Sequence, residues 1–280
     1  MHTQENFMLP IRRDLKFKLP ADKMRSWNPR GVHVSQFFNT LSIFFPSGER
    51  FFIDSVRNYR ERIADPELQK AVSAFIGQEA MHGREHIEYN NALAASGLPI
   101  AGMEGLVIRL LKVAKKILPQ ADQLAITIAL EHFTAILADI LLREPKLLEG
   151  AEPRFAALWR WHALEETEHK AVAYDVYQTT VGRGLGAYLR RCAALAALTV
   201  IFWGLVIPFH IEIMRREGGL FDFKGWWALI KFQWISPGGL RRIIPAYFDY
   251  YRPGFHPWQH DNRRFLTELD ALADTYRAAA

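Results

Sequence analysis

The stretch from Leu68 to Leu93 constrains the fold more than any other part of the chain. Leu68, Val72, Phe75, Glu79, His82, His86, Tyr89 and Leu93 follow one another in alternating steps of four and three residues. Residues so spaced share one helical face, and an unbroken run of them is the seam of a helix packed into a bundle. Pro66 at the start and Ser96-Gly97 with Pro99 at the end bound the helix. Three ionisable side chains occupy the middle of this seam, where an unpaired charge is costly to bury. Whatever the chain folds into must compensate them.

The same conflict recurs on three other segments. A helix is expected from Pro46-Ser47 up to Asp65-Pro66, with Phe52, Val56, Tyr59 and Ile63 inward and Glu49 continuing the stripe. A third core helix, about Gln120 to Arg143, carries Leu124, Ile128, Glu131, Ala135, Ala138 and Leu142 on one face. A fourth, Pro153 to about Thr179, carries Phe155, Leu158, His162, Glu165 or Glu166, His169, Val172 or Ala173, and Val176. Residues 100–119 read as an amphipathic, basic crossover helix. The fold class is therefore all-α: an N-terminal arm over 1–45, a four-helix bundle with a long crossover over 46–180, and an apolar and aromatic helical extension over 181–280.

Glu79-x-x-His82 and Glu166-x-x-His169 each aim a hard oxygen and an imidazole at one point inside a bundle. Glu49 and Glu131 add one carboxylate from each of the other two helices, a ligand pattern used by two-metal bundles. Four buried carboxylates repel one another, no lysine or arginine partner stands in the stripes, and two divalent ions would neutralise them. Glu49, Glu79, His82, Glu131, Glu166 and His169 are thus the expected metal ligands and catalytic groups. His162, on the same face as Glu166 and His169, is a third histidine candidate, and His86, a turn past His82, is a further ligand or a supporting residue. Glu165 fits the stripe about as well as Glu166, but the Glu-x-x-His spacing selects Glu166 and leaves Glu165 and Glu168 as surface or supporting residues. Mixed oxygen and imidazole donors suit two iron ions, with manganese and zinc compatible.

Composition narrows the partners. The net charge of +5 is spread in short clusters, and no RNA-binding or zinc-finger spacing accompanies it, so nucleic acid is not expected. The single cysteine, Cys192, excludes an intramolecular disulfide framework and fits a reducing cytoplasm. The first twenty residues lack an apolar signal core. His33, before the apolar segment SQFFNTLSIFF, reads as an ordinary core or surface histidine, and LKFKL as a short strand or an arm. Gly182, Gly184 and Gly186 follow no strand and read as a loop. Cys192 to Phe209 is uncharged and long enough for a membrane span or a shallow insertion, and Trp226, Trp227 and Trp234 among lysines suit a lipid interface. Membrane contact through 192–235 is the expectation, with a core helix as the alternative and the inner face of the membrane as the site of association. Residues 262–280 read as an amphipathic helix with Phe265, Leu269, Leu272 and Tyr276 inward.

Over residues 46–178 the chain resembles the ferritin-like di-iron carboxylate superfamily, and His162-x-x-x-Glu166-x-x-His169 resembles the histidine-richer site of the arylamine N-oxygenases. That resemblance implies Glu49, Glu79, His82, Glu131, His162, Glu166 and His169 as seven ligands. Through FFPSGERFF, QEAMHGREH, EETEHKAVAYDVY and YYRPGFHPW the chain is also similar, over nearly its full length, to a bacterial family catalogued as predicted metal-dependent hydrolases. The expected function is an oxygen-activating oxidoreductase that hydroxylates, desaturates or N-oxygenates an apolar small molecule. The alternative is a hydrolase using a two-metal-activated hydroxide. An electron-donor protein and a homodimer are compatible with the first reading.

Overall fold

Asp65 caps the helix that the seam predicts: its side chain accepts the Glu67 N–H, Pro66 sits in the first turn, and α3 runs Pro66–Ala95. In the computed structural model, which describes residues 8–277, the chain is all-helical, with no strand among the described residues. Upstream lie α1 (Val32–Ser42) and α2 (Phe45–Arg57), and downstream the crossover α4 (Ile100–Ile117) and α5 (Gln120–Arg143). The segment expected as one fourth helix is two, α6 (Pro153–His169) and α7 (Val172–Thr180). At the break Lys170 is buried, and its ammonium donates to the His260 carbonyl and to Asn262. The break after His169 thus anchors the C-terminal loop.

The bundle pairs α2 with α3 and α5 with α6, while α2 also touches α5, and α3 touches α6 and α7. Its apolar core is in two parts. One cluster takes Leu68, Val72 and Phe75 of α3 with Leu124 and Ile128 of α5 and Val172 and Val176 of α7. The other takes Tyr89 and Leu93 with Ile136 and Leu142 of α5 and Phe155 and Leu158 of α6. On each helix the carboxylates and histidines lie between the two clusters, so the polar residues form one layer across an otherwise apolar bundle.

The N-terminal region is woven into the structure. SQFFNTLSIFF lies largely in α1, which packs against α3 and α8 and has every residue but its first buried. LKFKL lies outside any strand, broken by the positive φ of Lys18, with Leu15 and Phe17 covered. His33 is a buried core histidine whose Nε2 lies 3.2 Å from the Gly219 carbonyl. Gly182 and Gly184 form the turn into α8 (Leu185–Arg216), while Gly186, expected in the same loop, is already in its first helical turn; the apolar run at 192–209 is the middle of this longer helix, which contains Pro208. α8 packs along α5 and α1; α9 (Phe223–Ile230) continues through a π-helical turn at Lys231–Ile235, and α10 (Gly239–Asp249) returns against α5. The tail differs from the expected single helix. A 3-10 stretch, Arg263–Glu268, precedes α11 (Leu269–Arg277), though Phe265, Leu269, Leu272 and Tyr276 all turn inward. The parts of these expectations that fall on residues 1–7 and 278–280 lie outside the described residues.

Candidate metal centre

α2 brings Glu49, α3 brings Glu79, His82 and His86, α5 brings Glu131, and α6 brings His162, Glu166 and His169 into the polar layer. None of the eight is more than 3 % exposed. Glu79 and Glu166 stand in the middle. His169 Nε2 lies 3.0 Å from Glu79, 3.5 Å from Glu166 and 3.8 Å from Glu131. His162 Nε2 lies 3.0 Å from the other oxygen of Glu166 and 3.8 Å from Glu49. His82 Nδ1 faces Glu79 at 3.9 Å and Glu166 at 4.0 Å. Within this layer Glu79, Glu166 and His169 offer one set of donor atoms mutually within 4.8 Å, and His82, His162 and Glu166 offer another. Glu49 with Glu79 and His82 makes a third such set.

Each inward histidine is held from behind. His82 Nε2 bonds Glu165 at 3.0 Å and His169 Nδ1 bonds Gln78 at 2.9 Å, which turns the opposite nitrogen of each ring inward. Behind His162 the hydrogen bonds fix a direction. Ser42 Oγ donates to Asn90, so it accepts from His86 Nδ1–H. His86 Nε2 is then the acceptor for His162 Nδ1–H at 2.8 Å, and the His162 Nε2 lone pair points at the carboxylates. His86 lies within reach of Glu49 and His162 as a donor, but both its nitrogens are already engaged. It stands as the support of His162. Phe45 stacks on the His86 ring and covers His162.

Glu165 and Glu168 are interior, not surface, and the cation missing from the stripes is Arg13. Its guanidinium grips Glu168 through two hydrogen bonds of 2.8 and 3.0 Å and reaches Glu165 at 3.3 Å. Gln78 also donates to Glu168. One arginine from the N-terminal region therefore stands behind His82 through Glu165 and behind His169 through Glu168 and Gln78. No periodicity could have found it, because Arg13 lies in an irregular segment. Gln78, Asn90 and Thr134, which donates to Glu166 at 2.7 Å, are each next to a stripe residue and escape a stripe count for that reason; Ser42 escapes because it lies in α1, outside the four stripes.

The electrostatics divide the carboxylates into Glu166, which the histidines compensate, and Glu49, Glu79 and Glu131, for which burial dominates. Burial and the neighbouring carboxylates raise Glu49 and Glu131 well above the usual carboxylate range. Burial also raises Glu79, against the pull of His169. Burial opposes the charge on Glu166, but His169 and His162 outweigh it and hold that carboxylate well below its usual value. His169 is itself raised well above a free imidazole: burial disfavours its charge, and Glu166 and Glu79 overcome it. Burial and the adjoining histidines hold His82 and His86 well below, hence neutral. Burial pushes Glu165 up to about 8, with Arg13 pulling the other way.

These residues fit a pair of divalent cations. Both oxygens of Glu49, Glu79 and Glu131, together with His82 Nδ1 and His169 Nε2, are buried and make no hydrogen bond. Buried polar atoms are rarely left so, and a cluster of them calls for a partner. Gly83 is part of the cradle, since a Cβ there would come within 3.1 Å of Glu49 Oε2. Two cavities reach the layer. One is lined by His162, Glu166 and Thr134 and otherwise by apolar side chains such as Phe37, Phe38, Leu141 and Trp159, with Gln233 as the exception. The other reaches Glu131 and is more polar, with His132, Asp139, Lys170 and His260 in its wall.

A sequence profile for a family described as predicted metal-dependent hydrolases matches residues 11–261. The chain belongs to this family. The profile spans Arg13, the whole polar layer and the C-terminal helices through α10, so membership carries the N-terminal region and the extension as well as the bundle. No curated protein and no solved structure matches the chain. The family's description is that of metal-dependent proteins, and the clustered histidines and glutamates are where the structure could offer a metal its donors.

Proposed function

We propose that Glu49, Glu79, His82, Glu131, His162, Glu166 and His169 hold two metal ions, with iron the best match, in an enzyme that activates oxygen toward an apolar small molecule. The observation that carries the reading is the set of buried glutamate oxygens and histidine nitrogens that make no hydrogen bond, in a layer whose His162 and Glu166 also line an almost wholly apolar cavity. Carboxylate oxygens and imidazoles are the donors iron takes, and the bound ions would supply redox and Lewis-acid chemistry. The chain supplies the rest. Glu165, Gln78 and His86 fix which nitrogen of each histidine points inward. Thr134 holds one oxygen of Glu166, and Phe45 and Trp159 screen the histidines from water. The apolar wall orients a substrate that makes few polar contacts of its own. This reading needs an external electron donor.

Hydrolysis is the second reading, and the family's description backs it better than the first. The polar cavity at Glu131 is the feature of this chain that would serve it, since it can bring water to the layer beside Lys170 and His132. One experiment separates the two. The protein is loaded anaerobically with iron(II) and exposed to oxygen, and in parallel loaded with zinc and offered apolar esters. Stoichiometric oxygen uptake with an absorbance change supports oxygen activation. Ester turnover equally fast with zinc and without oxygen replaces it with hydrolysis, and inertness in both arms overturns both.

A further inference from the structure

The apolar cavity shares a wall with the most hydrophobic part of the surface. Phe232, Gln233, Gly239 and Leu240, from the π-helical turn and α10, close the cavity that His162 and Glu166 also line. The same segment turns its other face outward: Trp227 is 58 % exposed, Ile230 46 %, Trp234 48 % and Ile235 50 %. Beside it α8 is a 32-residue helix of mean hydropathy 2.2 in its most apolar window, and only 17 % of that window is buried. α5 passes the same test of length and hydropathy, but 61 % of its window is covered, as befits a bundle helix. Val200, Ile201 and Ile207 on α8, Phe221 ahead of α9 and Phe223 at its start extend the exposed apolar surface. Lys224, Lys231, Arg241 and Arg242 are exposed in the same stretch of chain. Aromatic and aliphatic residues interleaved with cations complement the boundary between anionic headgroups and acyl chains.

A second observation points into the cavity. Gln233 is 5 % exposed, and its amide nitrogen makes no hydrogen bond. A buried N–H donor in an apolar chamber wants an acceptor, and an acyl compound carries one in its carbonyl or carboxylate oxygen.

We propose that α8, α9 and α10 dock on an anionic bilayer and that the cavity takes an acyl-chain amphiphile from it, the acyl oxygen accepting from Gln233 and the chain lying along Phe37, Phe38, Leu141 and Trp159 toward His162 and Glu166. The segment that touches lipid on one side is then the wall of the substrate chamber on the other. This inference rests on the reading of the cavity as the substrate site, and its test is kept apart from the metals.

The full-length protein is floated with vesicles of phosphatidylcholine alone and with vesicles holding phosphatidylglycerol in roughly equal part. Binding is expected, tenfold or more tighter to the anionic vesicles, and expected to fall at least tenfold in W227S/W234S at unchanged metal content and melting temperature. A fluorescent fatty acid is titrated into the wild type and Gln233→Leu, with a roughly tenfold loss of affinity expected in the variant. No flotation, or equal flotation on both vesicles, overturns the docking. Equal affinity of both proteins for the fatty acid overturns the acyl assignment. A dimer in light scattering that W227S/W234S dissociates, without vesicle binding, makes the face an interface between copies and removes the proposal. Metal content reads the centre separately: loss of metals with flotation intact faults the metal reading alone.

Discussion

The middle of the bundle and the outside of the C-terminal helices invert the usual distribution of a folded chain. Between its two apolar clusters the bundle holds four carboxylates and four histidines at or below 3 % exposure. Along α8 and α9, by contrast, Val200, Phe221 and Phe223 stand 74 to 80 % exposed. Each inversion is unfavourable taken alone. Buried polar atoms lose hydration, and a broad apolar surface orders water. The difference lies in what resolves them. The interior is answered partly from within, by Arg13, Gln78, Ser42 and Asn90, and wants only ions for the rest. Among the described residues nothing covers the exterior.

The largest effect should come from taking away the donors. Glu131→Ala and His169→Ala are each expected to lower metal content from two ions to one or none, with loss of activity; full retention of two ions in both variants, measured by elemental analysis, would contradict the site. Acid should do the same to the intact protein. Glu49 and Glu131 are raised, so the metal-free protein holds them protonated, and binding must expel those protons. Occupancy is expected to rise with pH. The stability these raised carboxyls contribute to the metal-free protein is present below the ordinary carboxylate range and lost as pH climbs through their folded values. Metal-free protein should therefore weaken toward alkaline pH while metal-loaded protein does not, which melting curves across pH would check.

Arg13→Ala tests the internal answer. It strands Glu165 and Glu168 in the interior, and a loss of about 3–5 kcal/mol in denaturant unfolding is expected for a buried pair broken on one side. Milder are Ser42→Ala and Gln78→Leu, which leave every donor in place but free a histidine ring. Metal affinity is expected to drop roughly 10–100-fold. Affinity unchanged in both would make the outer hydrogen bonds irrelevant to the centre. The smallest effect belongs to the exterior: W227S should alter stability by no more than about 0.5 kcal/mol, as an exposed residue does. A larger loss would mean that the surface is covered within the protein.

Periodicity alone was enough to place α3 and α5 and to set Glu49, Glu79, His82, Glu131, His162, Glu166 and His169 on inward faces, because a helix fixes which residues share a side. Glu144-Pro145 marked a helix end for the same local reason, but the helix expected to run to Asp65-Pro66 stops at Arg57, a separate 3-10 turn follows at Arg60–Arg62, and Asp65-Pro66 serves only to open α3. The apolar stripe could not separate Glu165 from Glu166, though the Glu-x-x-His spacing favoured Glu166. The two are adjacent, so one helical face admits either, and only packing shows Glu166 turned to the carboxylates and Glu165 turned to the back of His82. Nor could it decide His86, whose role depends on a serine and an asparagine that belong to other positions in space. Arg13 and Gln233 lie furthest from any local rule. One joins an irregular segment to a layer some 150 residues away, and the other carries a surface helix into a cavity. The chain's local chemistry determined an all-helical bundle with a layer of metal donors inside it. Tertiary contact alone decided which groups hold those donors in place and which face of the extension meets the cavity, because hydrogen bonds and packing between distant residues leave no period in a sequence.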